Sequence, residues 1–278
     1  MSGRGFGDPG ALVQSERRSA FWFVRLNRPD RRNALSAPLL EALAAVCAAV
    51  EADREARALV LWGAGASFCA GADFGEFQRL METSPEHGTV ARHNRAFGRV
   101  LERLVDLPVP TLGVVRGAAM GGGCGLAVAL DRVIAAEDAT FAMPEVTLGI
   151  APAQIAPLVI RRVGATRARW LMLAATRLDA HAAVAAGLAD VVAPVAALGP
   201  AVEAELQTLA AAEPTSLRAT KRLVSLATTA PLGAALDGAA LEFAALLGGT
   251  AAREGIAAAR ERRHPGWHVT VPTLPEFT

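Results

Sequence analysis

Three short stretches carry the groups that could do chemistry together. "SFCAGADFGEF" (67–77) follows an apolar run and places a tight turn at Gly71, which would aim the next amides at a neighbouring cleft. "MGGGCG" (120–125) sets Gly121, Gly122 and Gly123 in a row before an Ala/Leu run that reads as a buried helix. Glycine within a helix costs about 1 kcal/mol relative to alanine, so this grouping points to a need for bare backbone. A helix start also presents unpaired N–H groups, and without a Cβ a ligand carbonyl can reach them. "FAMPEVTLGIAP" (141–152) sets Glu145 after the rigid Pro144 in a nearly apolar run. Burial there would raise its carboxyl towards the range useful for proton transfer. Two backbone donors and one apolar-embedded carboxylate are the equipment of enolate chemistry: the donors hold charge on a carbonyl oxygen while the carboxylate moves a proton at the adjacent carbon. Each stretch alone also fits a packing role, with the glycines admitting a strand and Glu145 capping a turn. Their co-occurrence in this order favours the chemical reading.

The elements that must position these groups follow from hydrophobic periodicity. "AFWFVRL" (20–26) and "ARALVLWG" (56–63) read as strands, the second apolar throughout its core and so buried on both faces. Between them Ser36 is placed to cap a helix over "APLLEALAAVCAAVEAD". A polar stretch is expected from 75 to 94, with "TSPEHGT" as a mobile loop, then a helix to Leu107, the strand "PTLGVVRG", the glycine cluster with its helix, and the short strand "RVIAAE". From Ala153 onward helical segments dominate. The expected organisation is a flexible lead-in over 1–17, an α/β core over 18–200 and a helical region over 201–278 that packs on the core or on a neighbouring subunit.

Composition excludes several classes. The chain has 278 residues, 52% hydrophobic and 20% charged, with a net charge of +1, so it can bury a large core and carries no general basic field for nucleic acid. Cys47, Cys69 and Cys124 lack metal or disulfide spacing and fit reduced thiols. No apolar run approaches a membrane span, and the N-terminus lacks a signal-peptide core, so a cytoplasmic location is expected with no membrane partner. "WGAGASF" lacks the third glycine of a dinucleotide fingerprint, and P-loop, GxSxG and HExxH patterns are missing, so no metal or nucleotide cofactor is expected.

With "LNRPDRRNALS", "FCAGADFGEF", "GAAMGGGCGLAVALDRVIAAEDATFAMPEVTLGI", "GLADVVAP" and "EGIAAARERRHPGW" in order from about Ala20 to Trp267, the chain resembles the crotonase, or enoyl-CoA hydratase/isomerase, superfamily. The resemblance implies a spiral of ββα repeats with a C-terminal helical trimerisation region. It also implies acyl-CoA substrates, with coenzyme A as part of the substrate and no separate cofactor, and a homotrimer or a hexamer formed as a dimer of trimers. Carried over by position, the oxyanion hole falls on the amides of Ala72 and Gly122, and Glu145 is the catalytic carboxylate. CoA-facing positions fall on Arg31, Arg32 and Ala34, and on Ala70, Asp73 and Phe74. Arg31 and Arg32 could meet phosphate or form a solvated turn. Gly121, Pro144, Met120 and Leu148 complete the acyl site, and Arg262 offers a further cation for CoA.

The sequence departs from the two-glutamate pattern at Gly125, where a carboxylate is usual. Three readings follow. The chain could hydrate a branched or glutaconyl-type 2-enoyl-CoA, as the similarity of "PEVTLGIAPAQIAPLVIRRVG" to single-glutamate methylglutaconyl-CoA and isohexenylglutaconyl-CoA hydratases suggests. It could be a Δ3,Δ2-enoyl-CoA isomerase using Glu145 alone, or a paralogue that binds acyl-CoA without turnover. Gln154 could orient a water or cap its helix. Arg79, Arg92 and Arg95 are candidates for a distal carboxylate.

Overall fold

The computed structural model describes residue 6 and residues 8–83 and 87–278. Residues 84–86 of the expected mobile loop, and residues 1–5 and 7 of the lead-in, lie outside the described residues. In chain order the front half runs β1 (Val13–Arg18), β2 (Phe21–Leu26), α1 (Ala37–Ala52), β3 (Ala58–Gly63), α2 (Phe74–Thr83), α3 (His87–Asp106), β4 (Thr111–Val115), β5 (Ala118–Met120) and α4 (Gly122–Val128). It continues with β6 (Arg132–Ala136), β7 (Thr140–Ala142), α5 (Ala156–Val163), α6 (Ala165–Leu173), β8 (Leu178–Asp179), α7 (Ala180–Ala186) and β9 (Val191–Ala193). Four helices close the chain: α8 (Leu198–Ala210), α9 (Pro214–Thr229), α10 (Leu232–Leu247) and α11 (Thr250–Glu261). The α/β class expected from the sequence is the one observed, and β1 begins inside the stretch expected to be a flexible lead-in.

The larger sheet has the order β1-β2-β3-β4-β6-β9, parallel except for the β1/β2 hairpin. A smaller sheet has the order β5-β7-β8. Successive side chains of a strand face opposite sides, and β3 shows the consequence: all six of its residues are buried. Leu59 and Leu61 join the core made with α1, α3 and α4, whereas Ala58, Val60 and Trp62 join a second core closed by Leu198, Val202 and Leu206 of α8. Phe6 and Phe277 meet the Trp62 ring edge-on at 5.1 and 5.2 Å, so segments near both ends of the chain seal this second face. Buried Arg57, just ahead of β3, donates to the carbonyls of Ala212 (2.6 Å) and Trp267 (2.7 Å), tying the helical region to the sheet.

Two expectations are corrected. The stretch over 75–94 is mostly helical. Asp73 accepts from the amides of Gly75 (2.9 Å) and Glu76 (3.3 Å) and so caps α2, and α3 begins well before Asn94. Ser36 stands at the cap position of α1 but its side chain makes no capping bond. The Ala37 amide instead donates to the Glu76 carboxylate at 3.0 and 3.2 Å, so α2 supplies the cap across the fold.

Candidate active site

The loop 67–73 is stitched between two neighbours. On one side Cys69 donates to Ala118 O (2.9 Å) and accepts from Met120 N (3.0 Å). On the other, Ala70 N donates to Arg32 O (2.9 Å), Leu35 N to Gly71 O (2.7 Å) and Asp73 N to Leu35 O (3.0 Å). Bonding that uses residues 71 and 73 leaves the intervening amide, Ala72, turned away from Leu35. Gly122 is the first residue of α4, so its N–H has no carbonyl one turn earlier in the helix. Among the described residues neither the Ala72 nor the Gly122 N–H donates a hydrogen bond.

The glycines divide the labour between packing and site. Gly71 (φ +91°) lies so close to β5 that a Cβ would stand 2.7 Å from Met120 O and 3.6 Å from Gly122 N. Gly121 (φ +49°) has the Glu145 carboxylate against it, with Oε1 2.8 Å from where a Cβ would be. A Cβ on Gly123 would overlap Cys69 O, so this glycine serves the close approach of α4 to the 67–73 loop. The packing reading holds at Gly123, while Gly121 and Gly122 line the cavity.

Glu145 opens a short 3-10 turn, Glu145–Leu148, behind Pro144. It is half-buried, and its Oε2 is buried without a hydrogen-bond partner. Burial raises its carboxyl above the usual range, an effect partly offset by its own backbone N–H. The neighbouring thiols of Cys69 and Cys124 are fully buried and pushed up to about 12, which leaves them unreactive.

Gly125 is closed off. A Cβ there would overlap Ile155 Cγ2 and stand 3.0 Å from Ile155 Cβ, with Phe97 Cζ at 3.6 Å. The space beside α4 is filled with apolar side chains, so no second carboxylate fits.

One cavity is lined by Ala70, Ala72, Phe74, Gly121, Gly122, Pro144, Glu145 and Leu148, which brings eight of the expected site residues together. Met120 is not among the lining residues; its backbone carbonyl lies against Gly71. Arg31, Arg32, Ala34 and Asp73 also lie off the cavity wall. Arg31 and Arg32 are exposed, and Arg32 is held at φ +48°. Asp73 is paired with Arg28 at 2.6 Å, which holds its carboxyl below the usual range against the opposing effect of burial, and Arg28 also donates to Ala34 O at 3.1 Å. None of Arg79, Arg92 and Arg95 lines the cavity; Arg95 is paired with Glu102. Arg262 ends α11 in the left-handed conformation, exposed. Gln154 does not cap α5; its Nε2 donates to Asn94 Oδ1 at 2.8 Å, and both residues line the cavity. Sequence reasoning missed Asn94 and Phe97. The three- and four-residue spacing of Asn94, Phe97, Leu101 and Leu104 was the available signal, a stripe whose last two members are core and whose first two open on the cavity. Among the described residues no group of three or more His, Cys, Asp or Glu is arranged to hold a metal.

A family model described as enoyl-CoA hydratase/isomerase matches residues 16–270. The chain is 35% identical over 256 residues to the enoyl-CoA isomerase/hydratase fer4 of Mycosarcoma maydis, covering 86% of this chain and 89% of that protein. Among solved structures it is similar to Pseudomonas aeruginosa AtuE, with a TM-score of 0.90 and 41% identity over 93% of this chain and all (100%) of that one. It is also similar to an enoyl-CoA hydratase/isomerase from Marinobacter aquaeolei, with a TM-score of 0.89 and 35% identity over 93% of this chain and 99% of that one.

Two predictions follow from the packing and burial. Gly125→Ala is expected to destabilise the fold by about 1–3 kcal/mol through overpacking, and by less in an Ile155→Ala background. Chemical denaturation of the two single variants and the double variant measures that coupling, and additive effects would refute the contact. Glu145 binds its proton more tightly in the native state than in the unfolded chain. Its contribution to stability therefore falls as pH rises from the ordinary value of 4.5 through its raised native value. Glu145→Gln, which cannot ionise, is expected to be more stable than wild type above neutrality. The gap should close below pH 4.5, as thermal melts across pH would show.

Proposed function

The chain belongs to the enoyl-CoA hydratase/isomerase family, and on that premise we propose that it hydrates a branched 2-enoyl-CoA with Glu145 as its single acid–base group. The observation that carries this reading is one carboxylate, its buried Oε2 unpartnered, sharing a cavity with the unspent amides of Ala72 and Gly122. The two amides receive the thioester oxygen and hold the charge of the enolate; removal of one such donor typically costs about 10²–10³ in rate. A carboxyl raised by burial sits nearer the working pH and can both take and return a proton. Arg31 and Arg32 are exposed ahead of the cavity loop and serve the CoA phosphates, with Ala34, Ala70 and Phe74 along the thioester arm and Asp73 bracing that loop through Arg28.

The cavity wall favours a branched acyl group over one with a distal carboxylate. Phe97, Leu148, Ile150 and Ile155 are apolar, and none of the three candidate arginines is among the residues that line it. The isomerase reading also has support: one base suffices to carry a proton from C2 to C4 of a 3-enoyl thioester, and the relative fer4 bears both activities in its name.

Large apolar side chains stand exposed on α10, Leu232 at 76%, Leu241 at 75% and Phe243 at 64%, a surface that supports assembly as a trimer or a dimer of trimers. Mass photometry is expected to give one of these states and Leu241→Glu a smaller one; a monomeric wild type refutes the assembly.

The ultraviolet absorbance of the conjugated enoyl thioester tests the reaction on crotonyl-, 3-methylglutaconyl-, 3-methylcrotonyl- and 3-enoyl-CoA. Loss of absorbance from a branched 2-enoyl substrate, slowed about 10²–10⁴-fold in Glu145→Gln, is the expected result. Appearance of absorbance from the 3-enoyl substrate alone makes the protein an isomerase, and CoA-ester binding without turnover makes it a binder.

A further inference from the structure

Hydration asks for two contacts to the attacking water, and the usual position of the second is filled by Ile155. The residue before Ile155 is Gln154, which lines the same cavity as Glu145. That amide is fixed from two sides. Its Nε2 donates to Asn94 Oδ1 at 2.8 Å, and its Oε1 lies against Gly98, one turn after Asn94 on α3, so closely that a Cβ at Gly98 would overlap it. Gly98 thus leaves room for the glutamine rather than for the helix itself. Arg95 Nη1 stands 2.9 Å from the same Cβ position but makes no hydrogen bond to Gln154 Oε1, which accepts none among the described residues and so is an unspent acceptor on a residue that lines the cavity holding Glu145.

We propose that Gln154, anchored by Asn94 and seated over Gly98, positions the attacking water in place of a second carboxylate; this rests on the hydration reading above. The water donates one hydrogen to Glu145 and the other to Gln154 Oε1, which leaves a lone pair free for C3. As the C3–O bond forms, Glu145 takes the water's proton and the C2=C3 electrons move onto the thioester to give the enolate. Glu145 then returns that proton to C2, so one water is added and the carboxylate is regenerated. A neutral amide orients the water without accepting its proton, so Gln154 is a positioning residue and Glu145 alone does acid–base work.

The test uses the full-length protein and the branched 2-enoyl-CoA that it hydrates. Gln154→Met keeps length and apolar volume but removes the acceptor, and is expected to lower kcat about 10²-fold with KM within threefold of wild type. Gln154→Glu restores an acceptor oxygen and is expected to recover most of that loss, and Asn94→Leu, which frees the amide to rotate, to fall between the two. Solvent-deuterium exchange at C2 of the corresponding saturated thioester needs Glu145 and the amides but no water attack, so it should persist in Gln154→Met. Unchanged kcat in Gln154→Met, a change in KM alone, or equal loss of exchange and hydration would each overturn the assignment. A wild type that hydrates no 2-enoyl-CoA would overturn the hydration reading itself, and the role of Gln154 with it.

Discussion

The cavity depends on two stretches of backbone approaching more closely than side chains permit. Gly71 leans on the carbonyl of Met120, and Gly123 on the carbonyl of Cys69, with no Cβ between them in either case. The hydrogen bonds between Cys69 and the 118–120 strand fix this approach in register. With one more carbon at either glycine the loop and the helix would move apart, and the amides of Ala72 and Gly122 would no longer face a common space. The large sheet, the two cores and the helices around them supply the rigidity against which this contact is held.

Around that contact the chemistry is economical. Glu145 lies against Gly121 with one oxygen unpartnered, in a wall of apolar side chains, and its proton affinity rises for that reason alone. No cation stands nearby among the cavity-lining residues to pull it down. A carboxylate in such a place destabilises the protein when ionised, which is a common cost of a working site.

Much of this was legible in the sequence, and the failures have physical causes. The apolar run of β3 and the glycine cluster announced themselves through composition, and Glu145 stood out as a charge in an apolar setting. The cap of α1 was not legible, because the carboxylate that meets Ala37 comes from Glu76, 39 residues away. The helical character of 75–94 was hidden because both helices there are amphipathic and polar on average. Gly125 read as an absence, and only packing shows that Ile155 has taken up the room.

That last contact has an evolutionary consequence. A carboxylate at 125 collides with Ile155, and a small residue at 155 leaves a void beside a glycine, so either change alone is unfavourable. A carboxylate at 125 therefore needs both changes together, and no single substitution leads there through a well-packed intermediate. The chain occupies a basin in sequence space into which a second carboxylate has no one-step entry. The other apolar residues of the cavity wall meet no such coupled barrier, so the shape of the space can change one residue at a time.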